Sequence, residues 1–268
     1  MGIVLILVAA ACAPANATEA SSQTTAPATS TTTVAPTTTT STTTTTTTTS
    51  TSTTTTTEAP DPYESLVATA RPHITQLVAY DEPDGEPVPM EFIVPNPHQF
   101  GDPLTLMVTE GERGDDWLKI QIPMRPNGRE GWIPVEDYTI TSTRTWARVD
   151  LPTTSVKVYE GSELIAETQA AIGTGSTPTP LGTFYVTSKR LNPPEEWFLG
   201  TYAIVLSGFS EALETFSGGL PVIAIHGTHD PDRELGRAVS HGCVRVPDDV
   251  IQFIAEHVPL GAPIHITG

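Results

Sequence analysis

Val222-Ile223-Ala224-Ile225-His226-Gly227-Thr228 and Ser240-His241-Gly242-Cys243-Val244-Arg245-Val246 are the two stretches on which the reading of this chain turns. The first is an apolar run with β-branched residues that ends on a histidine, the pattern of a deeply buried strand. The second sets a cysteine beside a glycine, whose missing side chain lets the backbone come close to a substrate. Directly after it, Pro247-Asp248-Asp249 suits a helix start, Val250, Ile251 and Ile254 form an apolar stripe, and Pro259 lies beyond the end. That spacing predicts a helix over 248–257. Upstream, Ser155–Tyr159 and Thr183–Thr187 alternate as strands, Tyr202–Leu206 is a second buried run, and Gly173, Gly175, Pro178 and Pro180 punctuate a loop. The expectation is a mainly β domain over 145–268 with one short helix just after the cysteine.

The chain has two cysteines, Cys12 and Cys243. With one of them near the N-terminus, no internal disulfide staples the β domain, so Cys243 stands alone. A free thiol is only about a few per cent thiolate near neutral pH, and a nucleophilic cysteine therefore needs a base or a positive field beside it. His226, at the end of its buried strand, is the candidate base. The successive N–H groups of His241, Gly242 and Cys243 are candidates for holding a developing oxyanion. Two other readings stand beside this one. Cys243 as an inert buried hydrophobe is the first. The second is a zinc site of His226, His229, His241 and Cys243, against which the two-residue spacing of His241 and Cys243 counts. His257 and His265 read as structural residues at a helix end and in the terminal strand.

A second β-rich block precedes this domain, over 61–143. Trp117-Leu118-Lys119-Ile120-Gln121-Ile122 alternates, Pro126-Asn127-Gly128 is a turn, and Gly131-Trp132-Ile133-Pro134 follows. The pattern resembles the end of a bacterial SH3-like domain, a small β-barrel that often binds wall peptides; a plain scaffold block is the other reading. Residues 18–60 are a Thr/Ser/Pro-rich stretch that includes an uninterrupted Thr/Ser run from 37 to 57. Nothing in it can offset the entropy of ordering a chain, so it reads as a disordered stalk. Ile3–Ala11 is an apolar run of the length of a secretory h-region, and 1–17 reads as a signal peptide ending at Ala15-Asn16-Ala17. Alternatively, Ala9-Ala10-Ala11-Cys12 resembles a lipobox, which would put a lipid anchor on Cys12. Either reading exports the protein to the bacterial wall or cell surface. The formal charge of −18, from 13 Lys and Arg against 31 Asp and Glu, and the scatter of the cations exclude a phosphate-gripping surface and hence nucleic acid. No second long apolar segment follows, so a polytopic membrane protein is excluded as well.

His226-Gly227-Thr228, with thirteen residues between His226 and Ser240, and then Ser240-His-Gly-Cys-Val-Arg, resembles the signature of the L,D-transpeptidase (YkuD-type) catalytic domain. Gly173-Thr-Gly and Thr179-Pro-Leu-Gly-Thr-Phe-Tyr-Val are similar to that family's entry strands. The resemblance implies a β-sandwich-like fold and a peptidoglycan cross-linking enzyme that needs neither cofactor nor metal. Its partners would be peptidoglycan stem peptides, a donor tetrapeptide and an acceptor amine. It implies that Cys243 attacks the carbonyl between the stem's third residue and a terminal D-Ala, that His226 accepts the thiol proton, and that His241, Gly242 and Cys243 form the oxyanion hole. Ser240 fits the position that shapes the turn and, with Arg245 and Tyr202, is a candidate substrate contact. Arg245 stands where the signature often has Asn; it would bind a stem carboxylate or pair with Asp248 or Asp249. Lys189–Leu220 occupies the place of the substrate lid, where Trp197 and Tyr202 would touch the stem or pack in the core. An L,D-carboxypeptidase and a non-catalytic wall-binding module remain the alternatives to a transpeptidase forming 3→3 links.

Overall fold

Leu118, Ile120 and Ile122, alternate residues on one face, are each at most 1% exposed, as their periodicity requires. They belong to the first of two β systems in the computed structural model, which describes residues 61–268. The signal segment, Cys12 and the Thr-rich stalk lie outside the described residues. The strands of the first system are β1 (Ser65–Ala70), β2 (Thr105–Glu110), β3 (Trp117–Gln121), β4 (Glu130–Pro134) and β5 (Tyr138–Thr143). They form an antiparallel sheet in the order β4-β3-β2-β1-β5. Its apolar face closes over a core that includes Leu77, Leu106, Met124 and Ile133.

β5 runs almost directly into the second system. Its strands are β6 (Thr145–Asp150), β7 (Ser155–Glu160), β8 (Glu163–Gln169), β9 (Ile172–Gly173), β10 (Gly182–Leu191), β11 (Tyr202–Phe209), β12 (Val222–Gly227), β13 (Ala238–Ser240), β14 (Val244–Val246) and β15 (Pro263–Thr267). Two helices accompany them: the four-residue α1 (Pro231–Glu234) and the predicted helix α2 (Asp248–His257).

Strand β10 makes the sandwich. Its first half pairs with β15 and its second half with β11, with a register shift between Val186 and Ser188. A bulged strand shared in this way turns one sheet into two facing layers. One layer carries β15, β6, β7 and β8, and the other carries β11, β12 and β14. A single core fills the space between, with Val149, Val158 and Ile264 from one side meeting Ile204, Ile225 and Val244 from the other. α2 lies on β11 and β12, and its Ile251 and Ile254 are fully buried. Each such side chain stabilises the fold by roughly 1.5–3 kcal/mol. Asp248, in the first turn of α2, accepts hydrogen bonds from the Thr201 N–H at 2.6 Å and its hydroxyl at 2.7 Å, tying the loop before β11 to the helix start.

The two β systems are pinned together by polar contacts from β3 and the turn after it. The Gln121 side-chain amide donates to the Thr183 carbonyl at 2.7 Å and accepts from the Ser207 hydroxyl at 2.8 Å. Asn127 exchanges two hydrogen bonds with the Phe209 backbone, at 2.9 and 2.8 Å. Tyr185 of β10, fully buried, contributes to the core of the first system.

Candidate active site

β12 and β14 are parallel neighbours in the register Ile225↔Val244, His226↔Arg245 and Gly227↔Val246. Side chains alternate across a strand, so the register sorts these residues onto two faces. Ile223, Ile225, Val244 and Val246 point into the core and are at most 1% exposed. Ala224, His226, Cys243 and Arg245 therefore share the opposite face, and His226 and Cys243 are diagonal neighbours on it. All four line one groove of about 680 Å³. Among the described residues no hydrogen bond joins the thiol to the imidazole in this state.

His226 is 5% exposed, and its Nδ1 lies 2.7 Å from the Gly227 carbonyl. A carbonyl only accepts, so Nδ1 carries the proton and Nε2 is left with a lone pair. Burial pushes the ring's pKa below its ordinary value. The Gly227 carbonyl pulls it back up, Arg245 lowers it further, and Glu234 and the Leu199 carbonyl raise it. Burial likewise pushes the Cys243 thiol above its ordinary value, against the pull of the Ala224 backbone N–H and the Arg245 charge. Both shifts favour neutral partners. The resting pair is thus thiol and imidazole, and the base is needed at the moment of attack.

The turn before Cys243 is held from within. The Ser240 hydroxyl donates to the Cys243 carbonyl at 2.5 Å and accepts from the Gly242 N–H at 3.1 Å. Two expectations change here. Ser240, 1% exposed, spends its hydroxyl on the turn, so it is not a free substrate contact. The Gly242 N–H is occupied in this state, so of the three candidate oxyanion donors it is the one already engaged. A second loop buttresses the turn from outside, where the Thr174 N–H and the Thr177 hydroxyl both donate to the Ser240 carbonyl, at 3.0 and 3.2 Å.

Gly242 has φ +118°, and a Cβ there would stand 3.0 Å from Ile223 Cδ1. Gly242→Ala is expected to cost about 1–3 kcal/mol of stability from that strained backbone, read as a lower urea midpoint with an unchanged m-value.

Arg245 finds a partner other than the helix aspartates. Its Nη1 lies 2.5 Å from Glu234 Oε1, on α1, while the Thr228 hydroxyl donates to Glu234 Oε2 at 2.5 Å. Asp248 is engaged by Thr201 instead. Among the described residues the buried Nε of Arg245 has no hydrogen-bond partner. Tyr202, a candidate substrate contact, packs against the sandwich core and is not part of the groove wall. Trp197 lies edge-on to His229 at 4.5 Å, and His241, exposed, faces the Phe216 ring at 5.7 Å. Among the described residues no three His, Cys, Asp or Glu side chains gather in metal-binding geometry.

The groove is lined both by the segment whose place is that of the substrate lid and by residues that no motif points to. Phe198, Leu199, Phe216 and Leu220 from the segment between β10 and β12 line one bank, and residues 92–100 of the first β system line another. Glu234 is a further unforeseen member of the site. Only an exposed-looking acidic residue in a short Pro-Asp-Arg-Glu stretch marks it in the sequence, and such residues are common.

Residues 144–266 match the family model described as the L,D-transpeptidase catalytic domain, YkuD. A Bacillus licheniformis protein named as an L,D-transpeptidase YkuD is 30% identical over 119 residues, covering 44% of this chain and 63% of that protein. Its namesake in Bacillus subtilis is 32% identical over 96 residues, covering 36% of this chain and 49% of that one. The match thus spans less than two thirds of either relative. Among solved structures, an L,D-transpeptidase from Mycobacterium smegmatis aligns with a TM-score of 0.41 at 16% identity, covering 76% of this chain and 99% of that chain.

Proposed function

We propose that the protein is a peptidoglycan L,D-transpeptidase working through a Cys243 thioester, with the family match of residues 144–266 as its frame. The observation that carries the reading is the shared face of β12 and β14, which brings His226 and Cys243 as diagonal neighbours onto one groove.

In this reading a tetrapeptide stem lies in the groove with the carbonyl of its third residue against Cys243. Sulfur attacks that carbonyl while its proton passes to Nε2 of His226, whose ring is oriented by the Gly227 carbonyl. The imidazolium then gives the proton to the departing nitrogen, the C–N bond breaks, and D-Ala leaves. The third residue is now a thioester on Cys243. An amine of a second stem attacks the thioester, passes a proton to His226, and expels the sulfur, which recovers that proton. The product is a 3→3 cross-link. The energy comes from the amide bond broken, so no nucleotide is consumed. The N–H groups of His241 and Cys243 are the oxyanion donors of this scheme, and Gly242 joins them when its bond to Ser240 opens.

The protein would act outside the cytoplasmic membrane. Ile3–Ala11 supplies the export segment, Cys12 an anchoring residue, and the Thr-rich stretch up to residue 60 a spacer. The first β system would be an SH3-like block beside the catalytic domain.

The test is mass spectrometry of purified disaccharide-tetrapeptide incubated with soluble protein from Asp61 onward. A dimer mass with release of D-Ala is the expected result. A tripeptide without dimer would replace the amine by water and make the protein an L,D-carboxypeptidase. No change with any stem type would leave a wall-binding module.

A further inference from the structure

Exposed large apolar side chains gather at the mouth of the groove. Ile93 is 70% exposed, Phe198 49%, Phe216 48%, Phe100 43% and Leu220 42%, and all five line the groove that holds Cys243. Apolar surface concentrated in this way marks a binding site. Two of the five, Ile93 and Phe100, come from the first β system, from the connection between β1 and β2.

That connection is built as a fixed wall. The Asn96 side chain donates to the Ile74 carbonyl at 2.7 Å and accepts from the Leu104 N–H at 2.9 Å, closing the loop across its base. The Asp102 carboxylate accepts from the Ser188 hydroxyl at 2.5 Å and the Lys189 N–H at 2.9 Å, which fastens the loop to β10 of the catalytic sandwich. The Arg190 guanidinium sits 5.1 Å from the Phe100 ring centroid. Phe92, beside Ile93, meets Phe209 of β11 edge-on at 5.9 Å. The wall is therefore in place before any substrate arrives.

The charges along the groove identify its occupant. Arg190 is paired with both oxygens of Glu196, at 2.6 and 2.8 Å, and Arg245 with Glu234. With these cations paired and the mouth lined by Ile and Phe, the outer groove suits an uncharged aliphatic surface. We propose that Phe92–Leu104 is the second wall of the catalytic groove, and that Ile93 and Phe100 are specificity-determining residues holding the aliphatic body of a peptidoglycan stem, its alanine methyls and the methylene arm of its diamino acid. The proposal rests on the transpeptidase reading for the identity of the ligand, and it makes the first β system part of the active site.

The test compares wild type with Ile93→Ser/Phe100→Ala, whose exposed side chains can be cut without emptying a core. D-Ala release from tetrapeptide is expected to show KM raised roughly five- to twentyfold, from the lost apolar contact, with kcat moved less. The rate at which iodoacetamide alkylates Cys243, a reagent too small to need the wall, should not change. An unchanged KM, or a loss confined to kcat, overturns the proposal. If wild type processes no stem at all, it is the transpeptidase reading that fails. The wall is then judged by titrating tetrapeptide against Cys243→Ala with and without the two substitutions: weaker binding in the substituted protein sustains it, while equal binding, or none in either, overturns it.

Discussion

Cys243→Ala is expected to lower turnover of a tetrapeptide stem by on the order of 10⁶-fold, the size of loss seen when a hydrolase is deprived of its serine nucleophile. No hydroxyl or second thiol shares the β12–β14 face with Cys243. The side chains that share the face with Cys243 are Ala224, His226 and Arg245, and the nearby Ser240 hydroxyl is held by the Cys243 carbonyl and the Gly242 N–H. The fold should survive, because Cys243 is only half-buried and the turn around it is held by backbone and Ser240. Losing one sulfur costs about 1 kcal/mol, a shift of a few degrees in Tm. The checks are intact-mass detection of the acyl-enzyme, present in wild type and absent in the variant, and a melting curve for each. Turnover that persists in a well-folded Cys243→Ala protein would falsify the thioester mechanism.

His226→Gln is expected to reduce kcat/KM by roughly 10²–10⁴ at neutral pH, the usual contribution of a positioned base. The pH profile separates loss of a base from mere disturbance of the strand. In wild type the reacting form pairs a neutral imidazole with a neutral thiol. Burial lowers the ring's pKa below 6.5 and raises the thiol's above 9.0. The profile should therefore be flat across neutral pH, with its acid limb displaced below the ordinary histidine range. Without the imidazole only the thiolate reacts, so the residual rate of His226→Gln should climb about tenfold per pH unit through the neutral range. A variant that kept the flat wild-type profile at reduced height would show that His226 positions the site and does not accept the proton. The same burial has a consequence for stability. The folded state binds a proton on His226 less readily than the unfolded chain does, so this contribution is complete above about pH 6.5 and is lost progressively as the pH falls below it.

Gln121 and Asn127 illustrate how the two β systems depend on one another. Gln121 reads in the sequence as a polar-face position of an alternating strand and Asn127 as a turn residue, yet each satisfies backbone or side-chain groups across the junction. Polar pairs of this kind become visible only when the strands that bring them together are known. The same holds for Asp102, which reads in the sequence as an ordinary loop aspartate and in the fold latches the groove wall to β10.

Local pattern determined the strands around Ser155, Thr183, Tyr202 and Val222 and the helix over Asp248–His257, because each signal is a repeat of apolar residues within one element. The spacing of His226 and Cys243 likewise singled out the two groups that end up on one face. What the tertiary structure decided are the partners. Arg245 meets Glu234 and not Asp248, which Thr201 already holds; Tyr202 turns into the core; the Gly242 N–H is taken by Ser240; and the far bank of the groove comes from residues 92–100. Each of these depends on which strand lies beside which, in what register, and on where a second β system docks. Such contacts join residues distant along the chain, and no periodicity within a segment encodes them.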